Sequence, residues 1–114
     1  MKASLLELMS RIPGAPSEQR PAGDRYALGF SRGTMSVGFY APTDSDPQQP
    51  HKRDEIYIIH AGTGDLVIGE VTHPFQPGDV FFVGSGVEHR FEAMSDDFGS
   101  WVVFWGPPGG ENAP

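Results

Sequence analysis

The sequence predicts an all-β domain, either a sandwich or a closed barrel. Two observations lead there. Fifteen glycines and eleven prolines are scattered through 114 residues, which is too much turn chemistry for a helical protein and too dispersed for one disordered tract. Between them lie short runs of β-branched and aromatic residues, with a turn signal roughly every eight to twelve residues. A chain of this length forms one domain with a core large enough to stand without staples.

The first element is the exception. Ser4 and Glu7 have the spacing of a capping box. Leu5, Leu8, Met9 and Ile12 recur at helical spacing on one face, and Pro13-Gly14 stops the run. This predicts a short amphipathic helix, packed on the outside of its own barrel or on a second copy. Residues 13–23 are a polar Pro/Gly link without periodicity, so 1–23 is a helix plus linker, 24–106 the β-domain and 107–114 a flexible tail.

From Asp24 onward the signals are for strands. Arg25–Ser31 and Thr34–Ala41 flank a hairpin turn at Arg32-Gly33. Residues 42–50 form a polar loop. Glu55–His60 is a strand, Ala61–Gly64 a turn and Asp65–Val71 a strand. Thr72–Gly78, with two prolines, is a second turn. Asp79–Val83, Glu88–Ala93 and Ser100–Trp105 complete the set. On the last strand Trp101, Val103 and Trp105 share a face, which suits core or interface packing.

Composition narrows the function. Eight basic against fifteen acidic residues give a net charge of −7, which argues against nucleic acid or an anionic membrane as partner. Zero cysteines exclude disulfides, thiolate metal sites and thiol catalysis. No apolar run reaches the length of a membrane span, and Glu7 interrupts the only apolar stretch near the start, so the expected location is cytoplasmic. No nucleophile motif, phosphate-cradling loop or nucleotide fingerprint is present.

What remains is a set of nitrogen and oxygen ligands: Gln49, His51, Glu55 and His89. Ligands of this kind bind a divalent metal at about 2.0–2.2 Å, so they must converge on one point. His51 and Glu55 would stand roughly 13 Å apart on a straight strand, and the prolines before them disfavour a helix. The spacing therefore requires a chain that ends one extended segment near His51, turns through Lys52-Arg53-Asp54 and starts a strand at Glu55. His89 must arrive from another strand. His60 and His73 match a surface strand end and a turn better than a ligand set, and Arg53 and Asp54 are read as turn residues. Tyr57, two residues from Glu55, is the best candidate to support the site. Phe39 and Phe91 are candidate pocket walls, Phe91 being two residues from His89.

These residues also carry a resemblance. Gln49-x-His51-x3-Glu55-x6-Gly62 is similar to the first motif of the cupins, G-x5-H-x-H-x3–4-E-x6-G, with Gln at the first His and Thr43 at the leading Gly. Gly78-x5-Gly84-x-Gly86-x2-His89-x3-Ala93 resembles their second motif, G-x5-P-x-G-x2-H-x3-N, with Gly for Pro and Ala for Asn. The resemblance implies a double-stranded β-helix, or jelly-roll, barrel, commonly a homodimer. It also implies a divalent metal (Fe, Mn, Ni, Co, Cu or Zn) on His51, Glu55 and His89, with Gln49 where a third His would stand. Two His and one carboxylate are also the composition of the facial triad of non-haem iron oxygenases. The implied function is a metal-dependent enzyme on a small oxygen-rich molecule, a dioxygenase first and an isomerase next. The alternative is a non-catalytic module that binds a small ligand without a functional metal.

Overall fold

The computed structural model describes residues 1–112 and shows a double-stranded β-helix barrel with one short helix. The order is α1 (Leu5–Ser10), β1 (Tyr26–Arg32), β2 (Met35–Tyr40), β3 (Asp54–Ala61), β4 (Gly64–Ile68), β5 (Val71–Phe75), β6 (Val80–Val83), β7 (His89–Glu92) and β8 (Gly99–Trp105). Two antiparallel sheets face each other, β1-β2-β8-β3-β6 and β5-β4-β7.

Strand alternation decides what lies between them. Tyr57 of β3 pairs with Val102 of β8, and Glu55 with Phe104. These face inward together with Tyr40 of β2 and Tyr26 of β1, which pair with each other. The opposite sheet contributes Leu66, Phe75 and Phe91. Aromatic rings fill much of this core: Phe91 meets Tyr57, Phe75 and Phe98 at centroid distances of 4.9, 5.7 and 4.7 Å.

The odd-numbered residues of β2 point the other way, which corrects one expectation. Phe39 is not a pocket wall. It is buried on the outer face of the large sheet with Leu8, Ala27 and Ala41, edge-on to Trp101 at 5.3 Å. This second cluster is where α1 docks, its Leu8 fully buried. Close approach is possible because Gly29, at a bulge in β1, has no side chain: a Cβ there would stand 2.8 Å from Ala3 and 3.0 Å from the carbonyl of Val37. The helix thus packs on its own barrel. Its capping box does not form, since Ser4 makes no side-chain cap. Glu7 instead pairs with Arg11 at 3.1 Å.

One strand was hidden in the sequence. The segment read as the start of a turn, Thr72 onward, belongs to β5, and the strand expected over Asp65–Val71 is split by a Gly69-Glu70 turn. Pro74 sits inside β5, which is an edge of its sheet, so the missing N–H costs no ladder bond on the open side. The hairpin of β1 and β2 turns at Gly33-Thr34, one residue later than expected, with Gly33 at φ 57°.

The segments outside the strands are tied down around the barrel mouth. In the linker, Gly14 and Asp24 are joined at 2.7 Å, and the loop delivers Arg20 to the hydroxyl of Tyr40. The tail was expected to be free from residue 107. Instead the N–H of Gly109 donates to Lys52 O at 2.7 Å and that of Glu111 to Asp54 Oδ2 at 3.2 Å. Its last two residues, 113–114, lie outside the described ones.

Candidate metal centre

Three elements bring the predicted ligands together. Glu55 stands on the inner face of β3, fully buried. His89 opens β7 on the facing sheet, also buried. His51 precedes β3, half-exposed, and a bend through Lys52-Arg53 swings it back over Glu55. Its carbonyl accepts the N–H of Gly86 at 2.8 Å, which ties this bend to the loop before His89. The required turn is therefore present, and one donor atom from each of His51, Glu55 and His89 lies within 4.8 Å of the others.

The carboxamide beside them comes from an unexpected residue. Gln49 is exposed and borders a small outer cleft with Pro50, Glu88 and Arg90. Gln48 turns inward. Its Oε1 lies 2.9 Å from His51 Nε2 and accepts the Tyr57 hydroxyl at 3.1 Å. The alternation that put Gln49 and His51 on one face holds only for an extended chain, and residues 47–51 make no strand. What selects Gln48 is Asp46, missed in the sequence. Its side chain is wholly buried and its Oδ2 accepts Gln48 Nε2 at 2.6 Å and the Phe91 N–H at 2.8 Å. Its Oδ1 accepts the Tyr40 hydroxyl.

The orientation of His89 is fixed by its other nitrogen. Nδ1 lies 2.8 Å from the carbonyl of Val87 and must donate to it. In the neutral ring Nε2 is then an acceptor, 3.0 Å from Glu55 Oε1 and 3.2 Å from the Tyr57 hydroxyl. That oxygen is buried and has no polar partner among the described residues other than His89. Two acceptors facing each other call for a cation between them, either a proton on Nε2 or a metal. Metal bonds of about 2.1 Å place neighbouring ligands about 3.0–3.4 Å apart. The His89–Glu55 and His51–Gln48 separations are of that size, and His51 Nε2 to Glu55 Oε2, at 3.8 Å, is slightly longer. The residues therefore fit a metal.

Electrostatics treats the two imidazoles differently. Burial lowers the His51 pKa below its ordinary value, with Glu55 opposing and His89 adding to the shift. Burial also works against a charged His89, but the hydrogen bond to Glu55 and the Val87 carbonyl outweigh it and hold the group raised. The Tyr57 hydroxyl, 3.2 Å from His89 Nε2, is pushed well up by burial and by Glu55. It stays protonated and donates to Gln48.

Above the cluster opens a cavity of about 540 Å³. Its walls are Tyr26, Tyr40, Tyr57, Val102 and Phe104, with Arg20, Lys52 and Arg53 around its mouth. The ring of Phe104 meets His51 edge-on at 4.9 Å. Phe91 lies beneath the site in the core. The tryptophans of β8 point outward, so the wall comes from the residues between them, as the period of two requires. Neither His60, exposed beside Phe39, nor His73, packed against Phe81, joins the cluster. Among the described residues no helix is long and apolar enough to cross a membrane.

Comparison with known proteins agrees with this architecture. The family model described as a cupin domain matches residues 37–105. An uncharacterized protein of Streptomyces coelicolor, SCO3923, is 39% identical over 93 residues, 79% of this chain and 88% of the relative. A cupin 2 conserved barrel domain protein from Salinispora arenicola superposes with a TM-score of 0.60 at 24% identity, over 71% of this chain and 74% of that one. The DMSP lyase DddQ from Ruegeria pomeroyi gives a TM-score of 0.59 at 26% identity, over 73% of this chain and 48% of that one. With the family model spanning β2 to β8, and His51, Glu55 and His89 converging inside the barrel it describes, the chain belongs to the cupin family.

Proposed function

We propose that this cupin holds a divalent metal on His51, Glu55 and His89, with Gln48 Oε1 as a fourth, neutral ligand, and acts on a small oxygen-rich molecule in the cavity above. A dioxygenase is the leading type. The observation that carries the reading is the 3.0 Å approach of His89 Nε2 to the buried Glu55 Oε1, an oxygen with no other polar partner among the described residues, which calls for a proton or a metal between them. The ion would supply a Lewis acid with open positions for substrate oxygens. The chain's own residues have definite tasks. Val87 holds His89 in the tautomer that presents Nε2. Asp46 holds the Gln48 amide so that its oxygen faces the site. Tyr57 donates its hydroxyl hydrogen to that oxygen, and Val102 and Phe104 give the cavity an apolar wall.

Metal analysis after dialysis against each of Fe, Mn, Ni, Co, Cu and Zn tests the reading. One equivalent of at least one metal is expected, lost in His51→Ala and His89→Ala. Gln48→Ala should weaken retention about tenfold, the scale of a ligand or its immediate support, while Gln49→Ala should leave it unchanged. If no metal binds in stoichiometric amount, or if both His variants keep the full complement, the reading fails. A second reading, a metal-free binding module, draws on one observation: Gln48 already satisfies His51 and Tyr57 without an ion. Stoichiometric metal would remove it.

We also propose a homodimer joined through the outer face of the large sheet at β6. Ile58, Val80 and Phe82 are exposed there at 38%, 61% and 58%, and β6 ends its sheet with an unpaired edge. The lack of cysteine is in keeping with a cytoplasmic location.

A further inference from the structure

The cations at the cavity mouth are not equivalent. Arg20 is committed: its Nη2 pairs with Asp46 at 3.6 Å, donates to the Tyr40 hydroxyl, and its guanidinium lies 5.3 Å from the Tyr40 ring centre. Arg53 is held but not neutralised. Its guanidinium lies 5.8 Å from the Phe104 ring centre, and one N–H donates to the carbonyl of Thr34. Among the described residues no carboxylate comes within salt-bridge distance of Arg53 or of its neighbour Lys52. Lys52 and Arg53 are adjacent in the chain, and both line the cavity that holds Glu55. The one carboxylate on that rim, Asp24, is turned to the N–H of Tyr26 at 3.1 Å.

Lys52 is exposed, and water solvates it. Arg53 is different. It is only half-exposed, and its position over Phe104 with one donor spent on Thr34 restrains its fork. A fork held in place loses little entropy on binding an oxyanion in bidentate fashion. Phe104 is also the ring that meets His51, so Arg53 and the metal-capable cluster flank one aromatic side chain. Tyr26 stands in the field of both ends: Glu55 raises the pKa of its hydroxyl and Arg53 lowers it, on top of the larger effect of burial. Gly38 makes room for that ring, since any Cβ there would collide with it.

We infer that the cavity selects an organic anion with an apolar body, its oxyanion paired with Arg53 and its other polar end turned to His51, Glu55 and His89. The inference rests on the metal reading for that second end and names the class of molecule it would take. On a protein of net charge −7, Lys52 and Arg53 supply the local positive charge that an anion entering this cavity needs.

A matched pair of probes tests it. In 3,4-dihydroxybenzoate and 3,4-dihydroxybenzamide the same two hydroxyls can chelate a metal, and only the distant group changes from anion to neutral. Both are titrated without oxygen into the Co²⁺-loaded protein, following the visible absorption of the ion. The benzoate is expected to bind about tenfold tighter than the amide, as one charge-assisted pair allows. In Arg53→Gln the ratio should fall to near one with Co²⁺ content unchanged, and in Arg53→Lys it should recover in part, which a merely misfolded protein would not show. A ratio near one in the wild type, or one that Arg53→Gln leaves intact, overturns the inference while the metal reading stands. If the wild type retains none of Fe, Mn, Ni, Co, Cu or Zn, the metal reading fails and this inference fails with it.

Discussion

Gln48 and His89 show how single residues here are chosen by what holds them from behind. Gln48 sits at the site because Asp46 takes its amide hydrogen, and His89 presents Nε2 because Val87 takes its other proton. His51, Glu55 and His89 were legible in the sequence because the two cupin-like motifs carry them at matching positions. The carboxamide was not, since choosing between two adjacent glutamines needs the path of a loop that makes no strand. The state of His89 also gives a prediction. Its pKa is raised above the ordinary value of about 6.5, so below that raised value the metal-free site carries a proton between His89 and Glu55. A metal must displace that proton. Metal binding should therefore release about one proton per ion at pH 6 and less as pH rises through the raised pKa, so retention weakens on acidification. Calorimetry in buffers of different ionisation enthalpy measures the number directly. Release that stays at zero across this range would mean that His89 is already neutral without metal.

At the scale of elements, the pattern of two read most strands correctly and failed where a proline crossed it. β5 was missed because Pro74 signals a turn, yet an edge strand tolerates the lost donor. The same alternation, had it been carried through β2, would have placed Tyr40 inside and Phe39 outside. The helix was found from its apolar spacing, but its capping signal misled: Ser4 makes no cap, and what holds α1 is burial of Leu8 against Ala27, Phe39 and Ala41. A six-residue helix has no stability of its own in water. Leu8→Ala should therefore destabilise the fold by about 2–4 kcal/mol through lost burial and a cavity, measurable as a lower urea midpoint. Metal content should be unchanged, because this cluster lies on the opposite side of the large sheet from Glu55. Ser4→Ala should cost almost nothing, against the ~1 kcal/mol of a working N-cap.

For the whole molecule, the two faces of the large sheet have different fates. The inner face is covered by the second sheet, and the outer face is covered by α1 only over β1 and β2. Toward β6 it is bare: Ile56 pairs with Phe82 and Ile58 with Val80, so these side chains form one continuous apolar patch, which Trp105 extends at 6.1 Å from Phe82. Such a patch next to an unpaired edge invites a second copy, because a twofold axis lets both patches and both edges meet at once. Phe82→Lys places a charge at the centre of that contact and should convert the dimer to monomer, seen by sedimentation or light scattering. Phe82 is itself 58% exposed and its side chain lies on the outer face, away from Glu55 on β3's inner side. The monomer should therefore remain folded and keep its metal. A wild-type chain that already sediments as a monomer at micromolar concentration would refute the dimer. Loss of metal in a folded Phe82→Lys monomer would instead mean that association orders the site, through the Val83–Glu55 pairing that links β6 to β3.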